Sequence, residues 1–160
     1  MPTLADFADR DVLTRQVARE TDAAGVEGVR TRADRGLHWA VGALVTGPED
    51  RTLFVYEDDT WKLPGGGVEI GETRQDAVRR EVREETGVRI AVDELAAVTE
   101  VTVTDGDREA TFFFGTYRAT ADSTTLASDP GLDCEGIETV AWRESVPENC
   151  LDEPLVRRLR

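Results

Sequence analysis

From Gly65 to Val88 the chain reads GGGVEIGETRQDAVRREVREETGV, and this stretch leaves the backbone little choice. Thr73 stands at an N-cap position, with Asp76 three residues on in the manner of a capping box with a shortened acid. Gly87 suits the left-handed C-cap. These punctuation marks predict a helix from about Arg74 to Thr86. Residues three and four apart are helix neighbours, so Glu81, Glu84 and Glu85 share one stripe. Val78 and Val82 form a narrow apolar seam beside it, suited to docking on a sheet.

Three like charges in one stripe cost stability unless they are exposed, protonated or neutralised. Hard oxygen donors at that density suit Mg²⁺ or Mn²⁺. Gly65, Gly66 and Gly67 let the backbone approach an ion or a phosphate where a side chain would block it. Loop and helix together are candidates to hold a divalent cation that bridges phosphate oxygens and activates a water.

The rest of the chain supports one α/β unit. In LADFADRDVLTRQVARETDAAG, the spacing of Leu4, Phe7, Leu13 and Val17 predicts one or two helices ending at Gly25. VEGVRTRAD is expected as an edge strand, followed by strands at HWAVGALVT and RTLFVYE with GPED and EDDT as turns. After the central helix, VRIAVDELAAVTEVTVT and EATFFFGTYRAT read as a hairpin turning at Asp105-Gly106. ADSTTLASDPGLDCEG is a long loop, IETVAWRES a strand and EPLVRRLR a terminal helix. Phe112, Phe113 and Phe114 must alternate between sheet faces. One set belongs to the core, leaving the other set or Tyr117 to line a cleft.

Acidic residues number 33 against 19 basic ones, a net charge of −14, and Lys62 is the sole lysine. This balance opposes stable nucleic-acid binding, because no basic face is available to replace counterions. It resembles proteins of salt-accumulating halophiles, where salt screens carboxylate repulsion. An anionic small substrate remains compatible when bound cations supply local positive charge. No apolar run reaches spanning length and the N-terminus lacks a signal core, so a soluble cytoplasmic protein without membrane contact is expected. Cys134 and Cys150 have no zinc-site spacing and are read as separate reduced thiols. His38, the only histidine, opens an apolar strand and is assigned a structural role.

Gly66 to Val88 resembles the Nudix box, G-x5-E-x7-R-E-U-x-E-E-x-G-U, with U aliphatic. Gly66, Glu72, Arg80, Glu81, Val82, Glu84, Glu85, Gly87 and Val88 fill every position. Seven strictly specified residues at about one-in-ten usage give a chance match on the order of 10⁻⁷ per starting point. The likeness extends roughly from Leu37 to Trp142. It implies a mixed-sheet α/β/α sandwich over residues 37–160, while residues 1–36 lie outside the likeness and are read as an N-terminal helical extension with an edge strand. It further implies a divalent-metal-dependent hydrolase of a nucleoside diphosphate linked to another moiety.

By the resemblance, Glu84 and Glu85 are the main ligands of Mg²⁺ or Mn²⁺, Glu81 is a ligand or water-activating base, and the Gly66 carbonyl is a further ligand. Arg80 and Glu72 pair to orient the acids. Glu135 and Glu138 are candidates for an additional carboxylate, although Gly136 stands where that acid is most expected. Trp61, Lys62, Gly65 and Gly67 are candidates to bind substrate. A proline marking ADP-ribose enzymes is absent near Thr102 and Val103, as is the tyrosine of diadenosine-polyphosphate enzymes near Val103 to Asp105. The NADH-pyrophosphatase peptide is absent too, and the cysteines do not match the catalytic motif of isoprenoid-diphosphate isomerases. By elimination a nucleoside triphosphate or an unassigned diphosphate derivative, such as a nucleotide sugar, remains. The alternative is a non-catalytic nucleotide-sensing or partner-binding module on this scaffold, and the N-terminal segment is a candidate homodimer surface.

Overall fold

The computed structural model describes residues 1–121, 124, 126 and 136–160. Its order is β1 (Leu13–Glu20), α1 (Ala23–Asp34), β2 (Trp39–Thr46), β3 (Thr52–Glu57), β4 (Thr60–Lys62) and β5 (Gly65–Gly67). α2 (Arg74–Thr86), β6 (Ile90–Thr104), β7 (Glu109–Ala121), β8 (Thr139–Arg143) and α3 (Glu153–Leu159) complete it. The mixed sheet runs β1-β6-β7-β2-β3-β4, with β5 paired to β2 and β8 to β3. β1 is parallel to β6 and β2 to β7, whereas β6 and β7 form the antiparallel hairpin expected around Asp105.

The pleat sorts side chains to two faces. Val41, Ala43 and Val45 of β2 pack with Val78 and Val82 of α2, as the apolar seam requires. Leu44 and Phe54 point the other way and meet Leu155, Val156 and Leu159 of α3. Val26 of α1 covers Val101 and Val103 on that second face. Helices on both faces make the α/β/α sandwich.

The N-terminal segment inverts the sequence expectation. Leu13 to Glu20 is a strand, not a helix, and VEGVRTRAD lies within α1, not on a sheet edge. Leu13 and Val17 are four apart, a spacing that satisfies the strand period as well as the helical one. Burial in β1 alternates residue by residue, and its inward positions include Arg15 and Arg19. These two arginines bind Asp152 at the start of α3, at 3.1 and 2.6 Å. Gly25 does not end a helix: its N–H donates to the Asp22 carboxylate at 2.8 Å, inside the first turn of α1. Leu4 to Phe7 forms only a short 3₁₀ turn.

α2 occupies the expected range. Thr73 Oγ1 accepts the Asp76 N–H at 3.1 Å, and Gly87 takes φ +78° while its N–H donates to Arg83 O. The Asp76 carboxylate pairs with Arg79 at 3.0 Å, so the acid half of the capping box is spent locally. Tyr117 is buried in the α2-side core. Phe113 is core beside Val98, while Phe112 and Phe114 lie on the α1 face.

Candidate functional site

Three consecutive glycines carry the site because each faces a different crowded neighbour. A Cβ on Gly65 would lie 2.1 Å from Val41 O, so the strand could not pair as closely with β2. A Cβ on Gly66 would lie 2.5 Å from the Glu81 carboxylate, and one on Gly67 2.8 Å from Arg32 Cζ. The glycine strand is thus pressed between β2, the acids of α2 and an arginine of α1.

On the α2 side, Glu81 and Glu85 are one turn apart and only 7 % and 3 % exposed. Gly65 N–H donates to Glu85 Oε1 at 2.8 Å. Arg80 donates to Glu72 through Nε at 2.7 Å and Nη2 at 2.9 Å. Its Nη1 reaches Glu81 at 2.8 Å and Glu84 at 3.3 Å, and Nη2 also reaches Gly67 O at 3.0 Å. Three carboxylates therefore share hydrogen bonds from one guanidinium, and a fourth, Glu69, lies 3.8 Å from it. Hydrogen bonding from Arg80 holds the Glu72 carboxyl below the usual range, and the same pairing raises the arginine still further. Glu84 is the outward member, its side chain 40 % exposed.

Other sequence candidates fall into distinct places. Lys62 pairs with Glu57 and lines a cavity of about 180 Å³ together with Gly65, Gly66, Phe114 and Asp152. Trp61 is half-buried, its ring 5.1 Å from Tyr56 and 5.2 Å from the Arg143 guanidinium. Glu138 is exposed and its N–H donates to Tyr56 O at 2.8 Å. Glu135 and Cys134 lie outside the described residues. Cys150 is a free thiol, pushed up to about 11 by burial and by Glu153 and Asp152. The backbone carbonyl of His38 accepts the Phe113 N–H at 2.8 Å.

Glu57, Arg32 and Asp152 were not singled out from sequence as part of the site, whereas Phe114, of the outer phenylalanine set, does line a cavity. Glu57 is notable because its Oε2 would lie 3.5 Å from a Cβ on Gly136, where φ is +68°. A carboxylate from β3 thus sits where the following loop brings none at position 136.

Among the described residues no three acids, histidines or cysteines stand together at coordination spacing. The donor chemistry nevertheless fits a hard dication: carboxylate oxygens of Glu81 and Glu85 beside the glycine backbone and of Glu84 on the same helical stripe, with no soft ligand among them.

The NUDIX domain family model matches residues 36–154. The chain belongs to the Nudix family. A MutT-like protein of Streptomyces ambofaciens is 46 % identical over 61 residues, covering 37 % of this chain and 40 % of that protein. The nucleoside triphosphatase NudI of Enterobacter sp. (strain 638) is 46 % identical over 67 residues, 42 % of this chain and 43 % of its own. The chain thus matches less than half the length of these curated relatives. Among solved Nudix-like structures, the mutator MutT protein of Bacillus halodurans superposes with a TM-score of 0.64 at 23 % identity. That superposition covers 77 % of this chain and 82 % of the other and shows a shared fold. Among the described residues no helix is long and apolar enough to cross a membrane.

Proposed function

We propose that this Nudix protein hydrolyses a pyrophosphate bond in a nucleoside diphosphate joined to a further group, with Mg²⁺ or Mn²⁺ as cofactor. A nucleoside monophosphate and a phosphorylated remainder are the products. The carrying observation is the pair of buried carboxylates, Glu81 and Glu85, set against the backbone of Gly65 and Gly66. Arg80 meets Glu81 and the Gly65 N–H meets Glu85, and a site that concentrates buried carboxylates beside glycine backbone suits cationic and phosphate chemistry.

Glu81, Glu84, Glu85 and the Gly66 carbonyl are the residues that would hold the dication. When bound, it neutralises phosphate oxygens and lowers the pKa of a coordinated water. Arg80 keeps the acids in register by gripping Glu72 with two hydrogen bonds and Glu81 with a third. Glu81, the acid closest to the Gly66 backbone, is the candidate to take the proton from the attacking water. Lys62, Gly65 and Gly67 border the space for the phosphates, Trp61 stands beside it, and Glu135 or Glu138 would add a further carboxylate. The curated relatives named as nucleoside triphosphatases favour a nucleoside triphosphate as substrate, with nucleotide sugars the next class to test. The acid-rich composition points to a cytoplasm of high salt, so the assay belongs in molar KCl.

Glu84→Gln and Glu85→Gln are each expected to lower turnover by about a hundredfold or more while circular dichroism stays unchanged. Glutamine at position 85 keeps an oxygen for the Gly65 N–H, so the fold is not the casualty. Wild-type turnover in both variants, read by product mass, rejects the reading.

A further inference from the structure

We propose that α1 builds a nucleobase subsite beside the glycine strand, in which Arg32 selects a base with a carbonyl edge. The location rests on geometry, and the identity of the ligand as a nucleotide rests on the hydrolase reading above. The family model begins at residue 36, so Val29 and Arg32 come from a segment that it does not contain.

A cavity of about 260 Å³ lies between α1 and the sheet, on the side of Gly67 that faces away from the acids of α2. Val29, Leu37, Ala40 and Phe112 line it with apolar surface, and Arg32 is the one charged side chain among its lining residues. Small-molecule pockets run from roughly 300 to 1,000 Å³. This space therefore suits one ring system and not a whole nucleotide. Gly67 joins it to the candidate catalytic site: its carbonyl accepts from Arg80 at 3.0 Å while its Cα faces the Arg32 guanidinium.

Arg32 is held by backbone. Its Nη2 donates to Trp39 O at 3.1 Å and to Val68 O at 2.8 Å. Among the described residues these are its hydrogen bonds, and both use one nitrogen, so Nη1 and Nε remain as donors. A planar guanidinium with donors to spare pairs with two acceptors on a ring edge, as in the O6 and N7 of guanine. Adenine presents an amino donor at the equivalent position and gives the arginine a donor facing a donor. The apolar walls accept the ring faces, and they disfavour a phosphate in the same space. Arg32 is accordingly a specificity-determining residue, distinct from the groups proposed to act on the scissile bond.

Calorimetric titration with GMP and AMP in molar KCl tests this without any turnover, because neither ligand carries a pyrophosphate bond. The wild type is expected to prefer GMP by about tenfold or more. Arg32→Gln is expected to abolish the preference, and to raise KM for GTP relative to ATP with kcat unchanged. Because Arg32 also ties α1 to the sheet, Arg32→Lys is the second variant: it keeps a cation for the two carbonyls but loses the paired donors. It is expected to melt like the wild type and still lose most of the preference. Equal affinity of the wild type for the two monophosphates, binding of neither, or a preference that survives in Arg32→Lys overturns the subsite. Hydrolysis with base preference indifferent to Arg32 removes the subsite and leaves the hydrolase standing. Selective GMP binding without hydrolysis does the reverse.

Discussion

Gly67 lies between two arginines that resemble each other only in type. Arg80, from α2, meets three carboxylates, Glu72, Glu81 and Glu84, and adds one carbonyl. Arg32, from α1, meets two carbonyls, of Trp39 and Val68. The first has its charge matched by acids and acts as a fastener for a negatively charged site. The second is positioned by neutral groups and keeps its charge for whatever enters the cavity. The same residue is thus structural on one side of the strand and open to a ligand on the other, and its partners make the difference.

Alanine at either end of the glycine strand sharpens that contrast. Gly65→Ala places a methyl against the β2 backbone, which has no rotamer with which to yield. We expect it to destabilise the protein by about 3 kcal/mol or more, read by chemical denaturation at high salt. Gly67→Ala meets the Arg32 guanidinium, which yields only by loosening its bonds to Trp39 O and Val68 O. Its stability loss should be smaller than that of Gly65→Ala, about 1–2 kcal/mol, while the cavity side of the strand is disturbed. Equal losses in the two variants would mean that Arg32 is as immobile as backbone, and the distinction drawn above would fail.

Acid titration separates the fastener from its surroundings. The folded-state pKa of Glu72 lies below its unfolded value, first because Arg80 donates to it. The stability from this pairing is complete above the unfolded pKa, about 4.3, and is lost as pH falls through the folded value. Glu72→Gln lacks that contribution at every pH. The gap between wild type and variant should be about 1–3 kcal/mol at neutral pH and should close in acid. A gap independent of pH would show that Glu72 contributes through packing and not through its charge.

The legible and illegible parts of the chain differ in how far their causes lie along it. α2 could be bounded from sequence because Thr73 and Gly87 act on backbone groups within three or four residues. The acid stripe followed from the helical period alone. β1 could not be read, because its partner β6 is more than eighty residues away and its inward arginines look like surface residues until Asp152 is brought to them. For α1 a signal was available: Asp22 caps the helix by accepting the Gly25 N–H three residues on. Tertiary contact alone places Arg32 at Gly67 and Glu57 near Gly136, so neither could be drawn from a motif.

The smallest expected effect concerns the frame that carries Arg32. Gly28 is an exposed interior residue of α1, and a Cβ there would meet no atom within 4 Å. Glycine in a helix interior costs backbone entropy that alanine does not. Gly28→Ala should therefore stabilise the protein by about 0.4–1 kcal/mol, seen as a modest rise in melting temperature. It touches neither arginine and leaves the cavity walls as they are, so affinity for GMP should not change. A fall in melting temperature would mean that α1 is less regular in solution than its capped first turn implies. The seat of Arg32, and with it the contrast between the two sides of Gly67, would then depend on ligand to form.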